Sequence, residues 1–329
     1  MQSALRQQLL QHLADGACYS GSWLGEQLGM SRAAVWKHIQ HLQAEGVPIQ
    51  AIVGRGYQLA QRYEALDAEQ IHAARQFNVP LELIILDKVD STNAELLRRR
   101  SLLQISDWQK HYVCLAEQQS AGRGRRGRVW HTSWGASLAL SYMARLALAP
   151  MNLAGLSLVI GMAVVDVLRV QGVSGAGLKW PNDILVDGAK LGGILIDLSA
   201  EANGPSDVVI GVGLNITASA NAEMQNIEQA WTDLYSITQK NYSRNQLSAA
   251  LLDSFAQNLH RFEQYGFVDF ISAWPDYDVL QHKTIQISQG ERSFSGLAQG
   301  VDEQGALCVA TFDGIKKVTA GEVSVRVNS

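Results

Sequence analysis

Apolar positions in the first sixty residues fall at helical spacing and then switch to alternation. Leu5, Leu9, Leu10 and Leu13 recur every three or four residues up to Gly16, and Trp23, Leu24 and Leu28 mark a second short helix up to Gly29. Ser31 then stands where an N-cap belongs, opening a third helix in SRAAVWKHIQHLQAEGV. A rotation of 100° per residue groups Val35, His38, Ile39 and Leu42 on one face of that helix. Ala33, Lys37 and Gln40 fall roughly opposite, with Arg32 near the N-terminal end. The next stretch, PIQAIVGRGYQLA, alternates like a strand, turns at Gly54-Arg55-Gly56 and returns as a second strand.

Three helices followed by a hairpin predict a winged helix-turn-helix over residues 1–62. Five basic residues (Arg6, Arg32, Lys37, Arg55, Arg62) stand there against three acidic ones (Asp15, Glu26, Glu45), a net +2 while the remainder of the chain carries −6. That sign suits phosphate contacts. A winged helix can also serve protein contacts alone, but Arg32 on the reading helix and Arg55 at the wing tip favour DNA. Ser31, Arg32, Ala33, Lys37, Gln40 and Arg55 are the candidate DNA-binding residues.

A polar connector, 63–80, follows, partly helical through Leu66, Ile71 and Ala74. From residue 81 short apolar runs alternate with helical patterns. Strands are predicted at 83–86, 113–117, 137–145, 178–186, 190–198 and 208–216, with Asp187-Gly188 as a hairpin turn. Helices are predicted at 91–100, along the apolar run 153–168, and through most of 231–274. This is the pattern of a mixed sheet covered by helices, a central domain at 81–276. Over 277–329 alternating runs are separated by Gln289-Gly290, Gln304-Gly305, Asp313-Gly314 and Ala320-Gly321, a spacing that predicts a small SH3-like β-barrel. The fold class is therefore α+β, in several domains.

Composition narrows the setting. Of 329 residues 47% are hydrophobic and 18% charged, as in an ordinary globular protein. Cys18, Cys114 and Cys308 are far apart, without metal-ligand or paired spacing, and imply a reducing compartment. The N-terminus is amphipathic rather than continuously apolar, which argues against a signal peptide. The run 153–168 contains Ser157 and Asp166 and falls short of a membrane span. A cytoplasmic protein with no membrane partner is expected.

The candidate chemistry lies in the central domain. Residues 122–128, GRGRRGR, place four arginines among three glycines in a chain of net charge −4. Such runs are commonly disordered tails, RNA-binding segments or solvated loops. Here the run is flanked by a strand ending at Gln118-Gln119 and by Trp130, so a lid or clamp fits better. Its glycines let backbone amides converge on an anion, and its guanidiniums can grip phosphate or carboxylate. The spacing is not that of a Walker loop, and an anionic small molecule is the expected ligand. Lys179 ends an apolar strand before Trp180-Pro181-Asn182-Asp183; such a lysine is either an idle exposed cation or a fixed ammonium that stabilises phosphate charge. Asp90-Ser91-Thr92-Asn93 either caps a helix or presents hydroxyl and amide groups to a ligand.

Five stretches in order, STN at 91–93, EQQSAGRGRRGRVW at 117–130, KWPND at 179–183, KLGGIL at 190–195 and GVGLN at 211–215, closely resemble the bacterial biotin protein ligases that double as biotin operon repressors. The resemblance runs from the winged helix through the barrel. It implies an enzyme that joins biotin, its substrate, to ATP as biotinyl-5′-AMP with Mg²⁺ and then biotinylates a lysine of a carboxylase's biotin carrier domain. It also implies an operator-binding repressor whose homodimer is promoted by the adenylate. By the same resemblance Ser91, Thr92, Asn93 and Gln119 would hold the biotin head group, and Gly122, Arg123, Gly124 and Arg125 the acyl phosphate. Lys179 would bridge the two, Trp130 would pack near biotin, and Trp231 would lie against adenine. Lys179, Arg123 and Arg125 are the catalytic candidates, and no protein metal ligand is assigned. The stretch ASANAEMQNIEQ before Trp231 carries no clear motif for adenine. Two other readings use the same features: a biotin-sensing transcription factor without catalysis, and a ligase whose winged helix binds no operator.

Overall fold

The computed structural model describes residues 2–77, 79–104, 108, 110–217, 229–289, 292–319 and 323–327. The N-terminal unit is three helices, α1 (Gln2–Leu13), α2 (Gly21–Gln27) and α3 (Arg32–Ala44), and a hairpin of β1 (Ile49–Ile52) and β2 (Gly56–Leu59). Ser31 caps α3 through its hydroxyl, which accepts from the Ala34 amide at 3.2 Å. Val35, Ile39 and Leu42 turn inward and pack with Leu9, Leu13, Leu24, Val47 and Leu59. The core of this unit is completed from outside: Trp134 of the central domain is buried in it. Arg6 stacks on Trp134 and pairs with Glu45 and with Asp87 of the central domain.

The connector carries α4 (Ala68–Ala74), capped by Asp67. It is fastened to the central domain by buried polar bonds. Glu117 accepts from the Tyr63 hydroxyl and the Leu66 amide, both at 2.9 Å, and pairs with Arg244 at 2.7 Å. Both ions of that pair are almost fully buried, so removing either partner would strand an unpaired charge.

Seven strands form the central mixed sheet: β3 (Leu81–Val89), β4 (His111–Gln119), β5 (Ser137–Leu146), β6 (Ala176–Lys179), β7 (Asp183–Val186), β8 (Ala189–Ala200) and β9 (Ser206–Asn215). Their order is β3-β4-β5-β9-β8-β7-β6, with only β3 and β4 parallel. Alternation along β4 sorts its faces. Val113 and Leu115 join the large core beneath α6 (Leu156–Val170) and α8 (Arg244–Tyr265), while Tyr112 and Cys114 meet Leu96 of α5 (Thr92–Arg100) on the other. Two short helices, α7 (Leu234–Thr238) and α9 (Val268–Ile271), flank α8.

Two sequence expectations change. The strand expected over 178–186 is broken at Trp180–Asn182, and its halves fold back as the antiparallel pair β6 and β7 with Lys179 opposite Asp183. Pro181 has no amide to give a ladder, which makes it a poor interior strand residue and a good turn residue. The apolar segment also extends beyond 153–168: Pro150–Val170, a 3-10 turn followed by α6, is apolar and long enough to cross a membrane by length and composition. Its Leu158, Ile160, Ala163, Val164 and Leu168 instead lie in the core shared by the sheet and α8.

The C-terminal unit is an antiparallel sheet of β10 (Thr284–Gln289), β11 (Arg292–Val301), β12 (Leu307–Thr311), β13 (Gly314–Val318) and β14 (Val323–Val327), in the order β13-β12-β11-β10-β14. No pairing closes β13 onto β14 among the described residues. Turns stand at Gln304-Gly305 and Asp313-Gly314; Gly290, Ala320 and Gly321 of the other two expected turns lie outside the described residues. The Trp180 indole donates to the Gly305 carbonyl at 3.0 Å, and Ile285, Leu307 and Val309 extend the central core. Cys18, Cys114 and Cys308 are free thiols.

Candidate functional site

A cavity of about 760 Å³ opens where β4, β5, β8 and β9 meet the arginine loop, the β6–β7 turn and the edge of the C-terminal unit. It has a buried neutral end and a cationic end. At the neutral end Ser91, Thr92 and Asn93 start α5, all buried, with the Ser91 hydroxyl capping the helix at the Ala94 amide. The Thr92 amide and hydroxyl both donate to Gln119 Oε1, at 2.9 and 3.1 Å. Ser141, from β5 and fully buried, places its hydroxyl 2.7 Å from Thr92 Oγ1 and 2.5 Å from Asn93 Oδ1. Capping and cavity-facing placement thus occur together, because a helix start keeps its first side chains clustered around one point.

The glycines of GVGLN explain this packing. A Cβ on Gly211 would stand 2.3 Å from Asn93 Oδ1, and one on Gly213 2.5 Å from the Trp130 ring. Asn93 and Trp130 lie directly on the β9 backbone, where no side chain could coexist with them. Trp130 Nε1 is buried with no hydrogen-bond partner among the described residues.

The cationic end gathers Arg123, Arg125, Arg126, Arg128, Lys179 and Lys190. The arginine loop is a closed hairpin. Trp130 donates its amide to Gly122, Arg123 and Val129 are bridged, and Gly124 donates to the Arg128 carbonyl at 2.8 Å. The Gly124 amide is therefore engaged within the loop, while the guanidiniums line the cavity. Arg123 reaches Asp197 at 3.0 Å and Arg125 reaches Asn182 Oδ1 at 3.2 Å. Burial pulls the Arg125 pKa below the usual guanidinium range, with Asp183 opposing. Lys179 is likewise lowered by burial, while the Asp183 carboxylate pushes the other way. Asp183 is itself paired with Lys190 at 2.6 Å. Lys190 extends over the Trp130 ring, 5.8 Å from its centroid, and its backbone bridges Trp231.

Ser91, Thr92, Asn93, Gln119, Arg123, Gly124, Arg125, Trp130, Lys179 and Trp231 thus line one cavity, while Gly122 lines an adjoining recess at the base of the loop. The segment 218–228, which includes most of ASANAEMQNIEQ, lies outside the described residues. Sequence reasoning missed Ser141, Asn182, Lys190 and Asp197, and also Arg326, which arrives from β14. KWPND and KLGGIL contained Asn182 and Lys190; Ser141, Asp197 and Arg326 had no local signal. Among the described residues no three His, Cys, Asp or Glu cluster as a metal cage.

The other candidate residues form a separate surface. Arg32, Ala33, Lys37 and Gln40 are exposed on one side of α3, with Ser31 at its start and Arg55 exposed in the β1–β2 turn. Trp36, 55% exposed, shares that surface and was not singled out from sequence; Val53 is exposed beside Arg55.

Comparison with known proteins follows the same division. Residues 86–215 match a family model described as the biotin/lipoate A/B protein ligase family, residues 5–58 a helix-turn-helix domain, and residues 283–326 the biotin protein ligase C-terminal domain. The bifunctional ligase/repressor BirA of Salmonella typhimurium is 39% identical over 97% of this chain and 96% of its own length. The chain belongs to the biotin protein ligase family. Escherichia coli BirA, also a bifunctional ligase/repressor by name, is 38% identical over 97% of this chain and 96% of its own length. Among solved members of the ligase family, the Aquifex aeolicus enzyme in complex with biotin and ATP superposes with a TM-score of 0.63 at 29% identity. It covers 75% of this chain and 99% of its own length.

Proposed function

We propose that the chain activates biotin with ATP to biotinyl-5′-AMP, transfers biotin to a lysine of a biotin carrier domain, and represses transcription from an operator through its winged helix. The observation that carries the ligase reading is the cavity itself, which sets a buried, hydrogen-bonded neutral end against a wall of cations. A neutral ring with fixed donors and acceptors fits the first, and two anions that must approach each other fit the second.

In the first step a biotin carboxylate oxygen attacks the α-phosphorus of ATP; the bond to the β-phosphate oxygen breaks and pyrophosphate leaves. Lys179, Arg123 and Arg125 offset the repulsion between carboxylate and phosphate and bear the charge that develops. Thr92, Asn93 and Gln119, with Ser91 beside them, fix the head group, and Trp130 covers it. In the second step the carrier lysine's amine attacks the acyl carbon, the acyl–oxygen bond breaks, AMP leaves and the amine sheds a proton to water. The arginine hairpin shields the anhydride from water between the steps. Trp231 and Arg326, which line the same cavity, would meet the nucleotide. Mg²⁺ would be held chiefly by the ATP phosphates, which suits an ion that keeps several of its waters, and it would neutralise phosphate charge.

For the operator, Arg32, Lys37 and Arg55 supply phosphate or guanine contacts and Ala33, Gln40 and Ser31 face the groove. Trp36 adds apolar area suited to thymine methyls. One such unit makes few phosphate contacts, so a homodimer on a two-fold site is the binding form, with the adenylate favouring assembly. Three free thiols fit a reducing cytoplasm.

Incubation with biotin, ATP, Mg²⁺ and a carrier domain tests the first reading: biotin-dependent pyrophosphate exchange and a biotinylated carrier are expected. Operator titration with and without biotin and ATP tests the second. Ligand-dependent DNA binding without exchange would leave a biotin sensor, and exchange without DNA binding would leave a plain ligase.

A further inference from the structure

We propose that Asp197 is a positioning residue that braces Arg123 against the head-group end of the cavity and so slows escape of the bound adenylate. The inference rests on reading the arginine hairpin as a lid.

Asp197 stands on β8, two residues beyond the cavity-lining Leu195. Its two carboxylate oxygens face opposite ways in function. Oδ1 accepts from Arg123 Nη2 at 3.0 Å, and Oδ2 accepts from Asn93 Nδ2 at 2.9 Å. The Arg123 side chain is 46% exposed, and an exposed pair is ordinarily weak because both side chains must be ordered to make it. Here one side is ordered beforehand. Asn93 is buried, its amide also donates to the Leu195 carbonyl at 3.2 Å, and its carbonyl oxygen is met by Ser141. The backbone of Gly211 closes against the same amide. A carboxylate held by a fixed amide presents a fixed target, so only the guanidinium loses freedom on pairing.

The bond also has leverage. Arg123 is bridged to Val129 across the hairpin, and Trp130, one residue on, packs against Gly213 of β9. Holding Arg123 therefore holds the first strand of the loop over the cavity. At its other end the chain of contacts runs from Asn93 through Ser141 to Thr92 and Gln119. Asn93 Oδ1 can only accept, so the Ser141 hydroxyl donates to it, and Thr92 lies within hydrogen-bond distance of the same hydroxyl. The side chains that read the neutral end of the ligand are thus joined by hydrogen bonds to the brace that holds the lid.

The test follows release of labelled adenylate, formed on the full-length protein from biotin, ATP and Mg²⁺, after dilution into unlabelled biotin and ATP. Asp197→Ala is expected to release it roughly 3- to 10-fold faster, a charge-assisted bond discounted for exposure. Arg123→Ala should be at least as fast, and Asp197→Ala should add nothing on that background. Asp197→Glu should recover part of the retention; Asp197→Asn, of the same size, should lose it and guards against misfolding of the alanine variant. Release from Asp197→Ala and Asp197→Asn at the wild-type rate, with Arg123→Ala fast, overturns the brace and leaves the lid. Additive effects in the double variant overturn it as well. A wild-type rate for Arg123→Ala removes the lid reading itself.

Discussion

The molecule concentrates positive charge in two places, and they are built in opposite ways. At the cavity, Arg123, Arg125 and Lys190 are each engaged by a protein group, Asp197, Asn182 and Asp183, and Lys179 is partly withdrawn from water. On α3 and the wing, Arg32, Lys37 and Arg55 stand in solvent with no ion pair among the described residues. The difference suits the two targets. A small anion in a cleft interacts with few charges at short range and low dielectric, so each must be aimed beforehand. A DNA backbone presents many charges, and affinity comes from counterion release by cations that need only reach it.

Salt should separate the two most widely. A dimer offering about six cations is expected to lose on the order of 10³-fold in operator affinity between roughly 50 and 200 mM salt, while single-turnover adenylation at saturating substrates changes only a few-fold. Parallel filter-binding and quench-flow measurements at each salt level check this. Equal salt slopes would erase the contrast.

Next in size is Lys179→Ala. Removing a positioned cation from the reacting phosphate is expected to cost ~10²- to 10³-fold in biotin-dependent pyrophosphate exchange. Operator binding by the unliganded protein should be unchanged, since Lys179 lies in the cavity. An exchange rate within about 3-fold of wild type would make Lys179 a structural lysine.

On the other surface, Lys37→Ala should weaken operator binding about 10-fold and lower the salt slope by about two, one phosphate per protomer. The loss should be uniform over operator variants. A loss confined to one base position would instead place Lys37 on a base edge.

The smallest expected effect is a pH shift. Burial lowers the Lys179 pKa and the Asp183 carboxylate raises it, so Asp183→Asn should let the ammonium lose its proton at lower pH. The alkaline fall in the adenylation rate would then begin at lower pH in the variant than in wild type. The reverse displacement, or none, would show that another group sets that limb.

The sequence determined by itself whatever rests on local spacing. The helical period in α3, its Ser31 cap and the alternation that follows marked the winged helix, and five short motifs in order marked the family and residues that line one cavity. Spacing failed where the chain turned against its own pattern: the apolar runs on either side of Pro181-Asn182-Asp183 read as one strand, although the proline and the polar pair marked a turn, and the chain folds back there to face Lys179 with Asp183.

Tertiary structure alone decided the partners. Asp197 lies 74 residues from Arg123 and 104 from Asn93, and they meet because β9 separates β5 from β8 and so sets Ser141, Gly211 and Leu195 in adjacent strands. Trp134, from the central domain, is part of the head's core, while Arg326 reaches the cavity from a strand more than a hundred residues beyond β9. Periodicity reports which side of an element is buried. It carries no information about which distant element covers that side, because strand order is fixed by packing of the whole sheet and by connections hundreds of atoms long.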